Sequence, residues 1–199
     1  ITVMRRMIEQ DKTETHLQRL IEAFPWLLGP KWERLTANQT IKTLVMEKHR
    51  PDESRGEWSL TSDAAKLKPD FVFLSDPGGR EEIIVFELKG PEAGKTLQPI
   101  EYRQLTNYLN IIADVYTSDS IDIKGVLVGH EKGGFKTHDD RITVTTWSDV
   151  LLEARGLHVE YLRSLLHASD PTANDARLKQ IADFGGKETM ELLEKLAPV

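Results

Sequence analysis

Between Asp11 and Leu28, apolar residues recur at helical spacing: Leu17, Leu20, Ile21 and Phe24 fall on one stripe. Thr13 or Asp11 can cap the start, and Pro25 and Gly29-Pro30 stop the run. Ile41–Met46 predicts a first strand. The polar stretch from Arg50 to Lys68, with Pro51 and Gly56, predicts a long loop. Two short apolar runs follow, Phe71-Val72-Phe73-Leu74 and Ile83-Ile84-Val85-Phe86, rich in β-branched and aromatic residues. The turn sequence Asp76-Pro77-Gly78-Gly79-Arg80 makes them a hairpin. A loop over Gly90–Gln98 leads to a helix opening at Pro99, with Tyr102, Leu105, Leu109 and Ile112 as its stripe. Gly125–Gly129 predicts a buried strand and Arg141–Trp147 another. A helix capped by Ser148 then runs towards Leu166, and short helices broken at Gly185-Gly186 close the chain. The predicted order, α-β-β-β-α-β-β-α, is that of a mixed central β-sheet flanked by helices. Residues 1–168 are expected to form the main domain and residues 169–199 a helical appendage.

At 199 residues the chain is about one domain with an appendage. It has no cysteine, which excludes disulfides, thiolate zinc sites, iron–sulfur clusters and thiol nucleophiles. No apolar run approaches the roughly 18 residues of a membrane span. With no cationic apolar leader, a cytoplasmic location without membrane association is expected. Ile1 in place of Met suggests a fusion to a further N-terminal domain. The net charge of -6 runs against nucleic acid as a partner unless local patches or bound cations override it.

The hairpin concentrates the chemistry. The midpoint between Asp70 and Glu87 falls between Gly78 and Gly79, so a symmetric hairpin sets these two carboxylates opposite each other. Lys89, two residues past Glu87, points to the same face. Two readings fit. In one, Glu87 and Lys89 are an ordinary same-face ion pair and Asp70 is a solvated strand-start residue. In the other, a divalent cation between the carboxylates offsets their repulsion.

Pro69-Asp70 followed by Glu87-Leu88-Lys89 resembles the PD-(D/E)XK nuclease signature, and Gln104-Leu105-Thr106-Asn107-Tyr108 resembles the Gln-x-x-x-Tyr element of some of its branches. The early helix ending in Phe24-Pro25-Trp26-Leu27-Leu28-Gly29 resembles the nuclease domain of Shedu-type bacterial anti-phage proteins. The resemblance implies a restriction-endonuclease-like fold and a metal-dependent endonuclease acting on DNA, the effector of a homo-oligomeric defence protein. It implies that Asp70, Glu87 and the Leu88 carbonyl hold Mg²⁺, with Mn²⁺ able to substitute, and that Lys89 orients the attacking water. It also implies a further acid on the first helix. On a wheel of about 100° per residue, Glu14 lies roughly 70° from the stripe centre and Glu22 roughly 150°, which selects Glu14. Gln104 would face the site with Tyr108 supporting it; by their own positions, Arg103 beside Gln104 is expected to meet phosphate from the rim and Lys95 to touch DNA from the Gly90–Gln98 loop. Two rivals stand beside this reading: a non-catalytic module on the same fold, and a repair or RNA nuclease.

Other signals carry less. Gly90-Pro91-Glu92-Ala93-Gly94-Lys95-Thr96 imitates a P-loop, but three residues separate its glycines where the Walker pattern needs four. The six His residues show no zinc spacing. Lys48-His49-Arg50, Arg55, Lys66 and Lys68 make the approach to Asp70 locally basic, diluted by Asp52, Glu53 and Glu57.

Overall fold

The computed structural model describes residues 1–29, 33–37, 40–41, 66–75, 81–116, 121–168 and 191. Two helices open the chain, α1 (Thr2–Glu9) and α2 (Glu14–Ala23), followed by a 3₁₀ turn over Pro25–Leu27. Helix α2 therefore ends earlier than the apolar stripe suggests. Pro25 has no N–H to continue the ladder, and Phe24 leaves the helix and stands 49% exposed. Strands β1 (Glu33–Ala37), β2 (Phe71–Ser75) and β3 (Glu81–Leu88) follow, then helix α3 (Pro99–Val115), strands β4 (Ile121–Gly129) and β5 (Ile142–Thr146), and helix α4 (Trp147–Ala168). Among the described residues, no helix is long and apolar enough to cross a membrane.

The five strands lie in chain order across one sheet. Strands β1, β2 and β3 pair antiparallel, while β4 and β5 run parallel to β3. This is the mixed sheet with helices that the sequence predicts. The first strand differs: it is Glu33–Ala37, a stretch with one large apolar residue and no alternation to announce it. Ile41 is helical, and the rest of the strand expected over Ile41–Met46 lies outside the described residues. So do the hairpin turn, the loop residues 42–65 and the appendage apart from Glu191.

Strand β3 is central, and Ile83–Leu88 are all buried, as a strand covered on both faces requires. On one face Val72, Ile83, Val85 and Leu127 pack with Leu105, Tyr108, Leu109 and Ile112 of α3. Gly125 lets α3 sit close on β4: a Cβ there would stand 3.1 Å from the Leu105 and Leu109 side chains. On the other face Phe71 stacks on Phe73 at 5.9 Å, and Phe86 meets Phe73 edge-on at 5.5 Å.

Helix α3 starts where Pro99 predicts. Glu101 reaches back to accept the Gln98 N–H at 2.7 Å, completing a capping box. Helix α4 starts earlier than the Ser148 cap predicts. The Thr146 hydroxyl accepts the Asp149 N–H at 3.1 Å and the Asp149 carboxylate accepts the Thr146 N–H at 3.3 Å, so Thr146 does the capping. Contacts divide the chain into two units, Ile1–Leu152 and Glu153–Val199. The first holds the sheet and every site residue described below.

Candidate active site

Phe71 faces Phe86 and Val72 faces Val85, so the strand register carries Asp70 opposite Glu87 at the open end of the hairpin. Both lie on the face that α3 covers. The Asp70 carboxylate is held on both oxygens: Oδ2 accepts the Leu88 N–H at 2.7 Å, and Oδ1 accepts the Gln18 amide at 3.4 Å. Glu87 is 3% exposed. Its Oε1 accepts the Lys89 ammonium at 2.7 Å, while its Oε2 is buried with no hydrogen-bond partner. The Lys89 main chain is fixed from two sides, its N–H donating to Val128 O at 2.8 Å and its carbonyl accepting the Trp147 indole at 2.7 Å.

These contacts set the charges. Burial pushes the Asp70 carboxyl up to about 6; the Leu88 N–H opposes the shift and Glu14 adds to it. Burial and then the Asp70 charge push Glu87 up to about 7, with Lys89 opposing. Burial works against the Lys89 ammonium, yet the Glu87 carboxylate holds it above the ordinary lysine value, helped by Glu14 and Asp70. Like charges directly opposed on neighbouring strands repel and destabilise a sheet. One ammonium can offset one carboxylate, and the structure spends Lys89 on Glu87. The ordinary ion pair is thus present; Asp70 is met by hydrogen bonds from Leu88 and Gln18, and the second Glu87 oxygen is left without one.

A divalent cation fits this remainder. A buried carboxylate oxygen without a partner is the feature an ion would satisfy, and paired hard oxygen donors suit Mg²⁺ or Mn²⁺. Among the described residues, no three His, Asp or Glu side chains gather as a ready-made cluster. A divalent cation bound there would draw few ligands from the protein and keep several waters, the usual habit of Mg²⁺.

The other predicted residues differ in how they relate to this pair. Glu14, half-buried on α2, interacts electrostatically with Asp70, Glu87 and Lys89. Its own carboxyl is raised by burial, with Lys89 opposing and Glu92 and Glu101 adding to the shift. Gln104 is exposed, and its amide donates to the Tyr108 hydroxyl at 2.7 Å. Tyr108 is buried, and its hydroxyl extends to the Lys68 carbonyl at 3.5 Å. Burial raises the Tyr108 hydroxyl, Gln104 opposes that, and Glu87 and Asp70 add to it.

A cleft of about 640 Å³ opens beside Lys89 and Glu14 and runs along Gly90–Gln98 to His130. Lys95 lines it but is paired with Glu92 at 3.0 Å. Arg103 is exposed on α3 and is not among the lining residues. The cleft loop is pinned from α1–α2, where Asp11, in the left-handed region at φ 47°, accepts the Ala93 N–H at 3.1 Å.

Sequence reasoning missed two residues. Gln18 lies one turn after Glu14 on α2, and that spacing is the signal that could have found it. Trp147 reads from sequence only as a strand end.

No protein-family model matches the chain, and no curated protein matches it. Among solved structures, it is similar to a repair endonuclease from Pyrococcus abyssi, with 15% identity and a TM-score of 0.37 over 62% of this chain. The matched part spans 40% of that endonuclease's length.

Proposed function

We propose that this chain hydrolyses DNA phosphodiesters as a divalent-cation-dependent endonuclease, the effector of a Shedu-type anti-phage defence protein. One observation carries the chemistry: Asp70, half-buried, and Glu87, buried, are opposed, with an unpartnered Glu87 oxygen and Lys89 beside them. Asp70, Glu87 and the Leu88 carbonyl would hold the Mg²⁺, and Mn²⁺ would serve in its place. Such an ion, when bound, polarises the phosphate and lowers the pKa of a bound water.

The chain's own residues do the rest. The Leu88 N–H and Gln18 amide orient Asp70 so that it need not reorganise during the reaction. Lys89 stays protonated across the neutral range, and its ammonium stabilises charge developing on the phosphate. Val128 and Trp147 fix the backbone from which it projects. Tyr108 and Gln104 form a polar edge beside the acids, where Gln104 can donate to substrate without adding negative charge. Lys95 and Arg103 meet phosphates away from the scissile bond.

Supercoiled plasmid incubated with the protein and Mg²⁺ should be nicked or linearised, and EDTA should prevent it. Asp70→Ala, Glu87→Ala and Lys89→Ala should each lower the rate by about a hundredfold or more, with melting curves still cooperative. Full activity in Lys89→Ala would sink the mechanism.

A further inference from the structure

Gln18 is 8% exposed on α2, between Leu17 and Ile21, which contribute to the core at 0%. Packing alone asks for an apolar residue there. A buried primary amide is costly unless its hydrogen bonds are made. The described partner of this amide is Asp70, whose Oδ1 accepts from Gln18 Nε2 at 3.4 Å. Asp70's other oxygen already takes the Leu88 N–H at 2.7 Å, so the amide fixes the one rotation that bond leaves free. Glu14 lies one turn earlier on the same helix, which ties the placement of that acid to the placement of Asp70.

The geometry points to Gln18 as a positioning residue: through its amide it orients Asp70 for a divalent cation and couples helix α2 to the acid pair. This rests on the nuclease reading. Partners that orient a metal's ligands contribute about 10–100-fold to affinity when they are removed singly. Gln18 should act on the affinity for the ion and on kcat, leaving KM for DNA within about twofold.

Mn²⁺ alone, titrated calorimetrically into the full chain, tests this without turnover. Gln18→Met keeps the length and loses the amide; its affinity for Mn²⁺ should fall about tenfold while its melting temperature holds. Gln18→Asn keeps an amide but withdraws it by one methylene, and should weaken binding similarly. Gln18→His returns a ring N–H at nearly the original reach and should recover most of the affinity. Unchanged Mn²⁺ affinity in a folded Met or Asn variant overturns the inference, as does a loss that His fails to recover. A wild-type chain that takes up no Mn²⁺ overturns the nuclease reading itself and the role of Gln18 with it.

Discussion

Glu87 holds two opposed demands in one carboxylate: Lys89 satisfies one oxygen, and the other is buried without a partner. The cost depends on pH. Asp70 and Glu87 bind protons more tightly in the folded chain than unfolded, being raised from 3.8 to about 6 and from 4.5 to about 7. Their contribution to stability is fully present below the ordinary carboxylate values and is lost as pH rises through the folded ones. Glu14 is raised in the same direction. In EDTA, the melting temperature should therefore drop between about pH 4 and about pH 7. Glu87→Gln should flatten that slope, and Mg²⁺ should stabilise the wild type more at pH 8 than at pH 5. Scanning fluorimetry across pH, with and without Mg²⁺, checks all three. A wild-type curve that rises over this range in EDTA would remove the electrostatic account.

The elements show why part of the site was legible and part was not. The hairpin register follows from two apolar runs around a turn, and that arithmetic puts Asp70 against Glu87 without further help. Helix α2 is different. Phe24 and Leu20 pull the sequence-derived stripe to one side, yet Phe24 is outside the helix and the buried residues are Leu17, Gln18 and Ile21. At about 100° per residue, this turns the buried face by about 60° towards Glu14 and Gln18. A polar residue inside an apolar face gives no periodic signal, so Gln18 stayed hidden. Trp147 stayed hidden because its task is a long-range bond to the Lys89 carbonyl. Trp147→Phe keeps the aromatic bulk and strands that carbonyl. The variant should lose about 1–3 kcal/mol in urea unfolding and cleave more slowly than its remaining stability explains. Wild-type stability and rate together would show that the bond positions nothing.

For the molecule as a whole, the net charge of -6 and the self-paired lysines belong together. Lys89 is engaged by Glu87 and Lys95 by Glu92, so two of the three cations offered to phosphate are already paired within the chain. Glu14, Glu92 and Glu101 line the same cleft. A polyanion should therefore bind weakly until a cation takes over Glu87. Fluorescence anisotropy with a labelled duplex at fixed salt should show affinity at least about tenfold tighter in Ca²⁺ than in EDTA, with the gain absent in Glu87→Gln. Equal binding in both buffers would mean that the protein's other basic residues suffice. The fold class was readable from sequence because the apolar runs Phe71–Leu74, Ile83–Phe86 and Gly125–Gly129 each map onto one strand. The edge strand Glu33–Ala37 was not, since an edge needs little hydrophobic pattern to pair.

The pairing of β2 with β3 also bears on the order in which the chain assembles. It is the most local pairing in the sheet, whereas β3 meets β4 only after the chain has crossed through α3. Local pairings close with the least loss of chain entropy and tend to come first. The two carboxylates are then brought face to face before the parallel half of the sheet has formed, and their repulsion falls on the barrier rather than on the finished fold. Refolding in EDTA should be slower at pH 8 than at pH 5, and Glu87→Gln should erase most of that difference while changing the unfolding rate little. Stopped-flow chevrons at the two pH values measure it; a pH effect confined to the unfolding arm would place this pairing late. The residues read here as the reaction's machinery would also set the pace at which the chain reaches its native state.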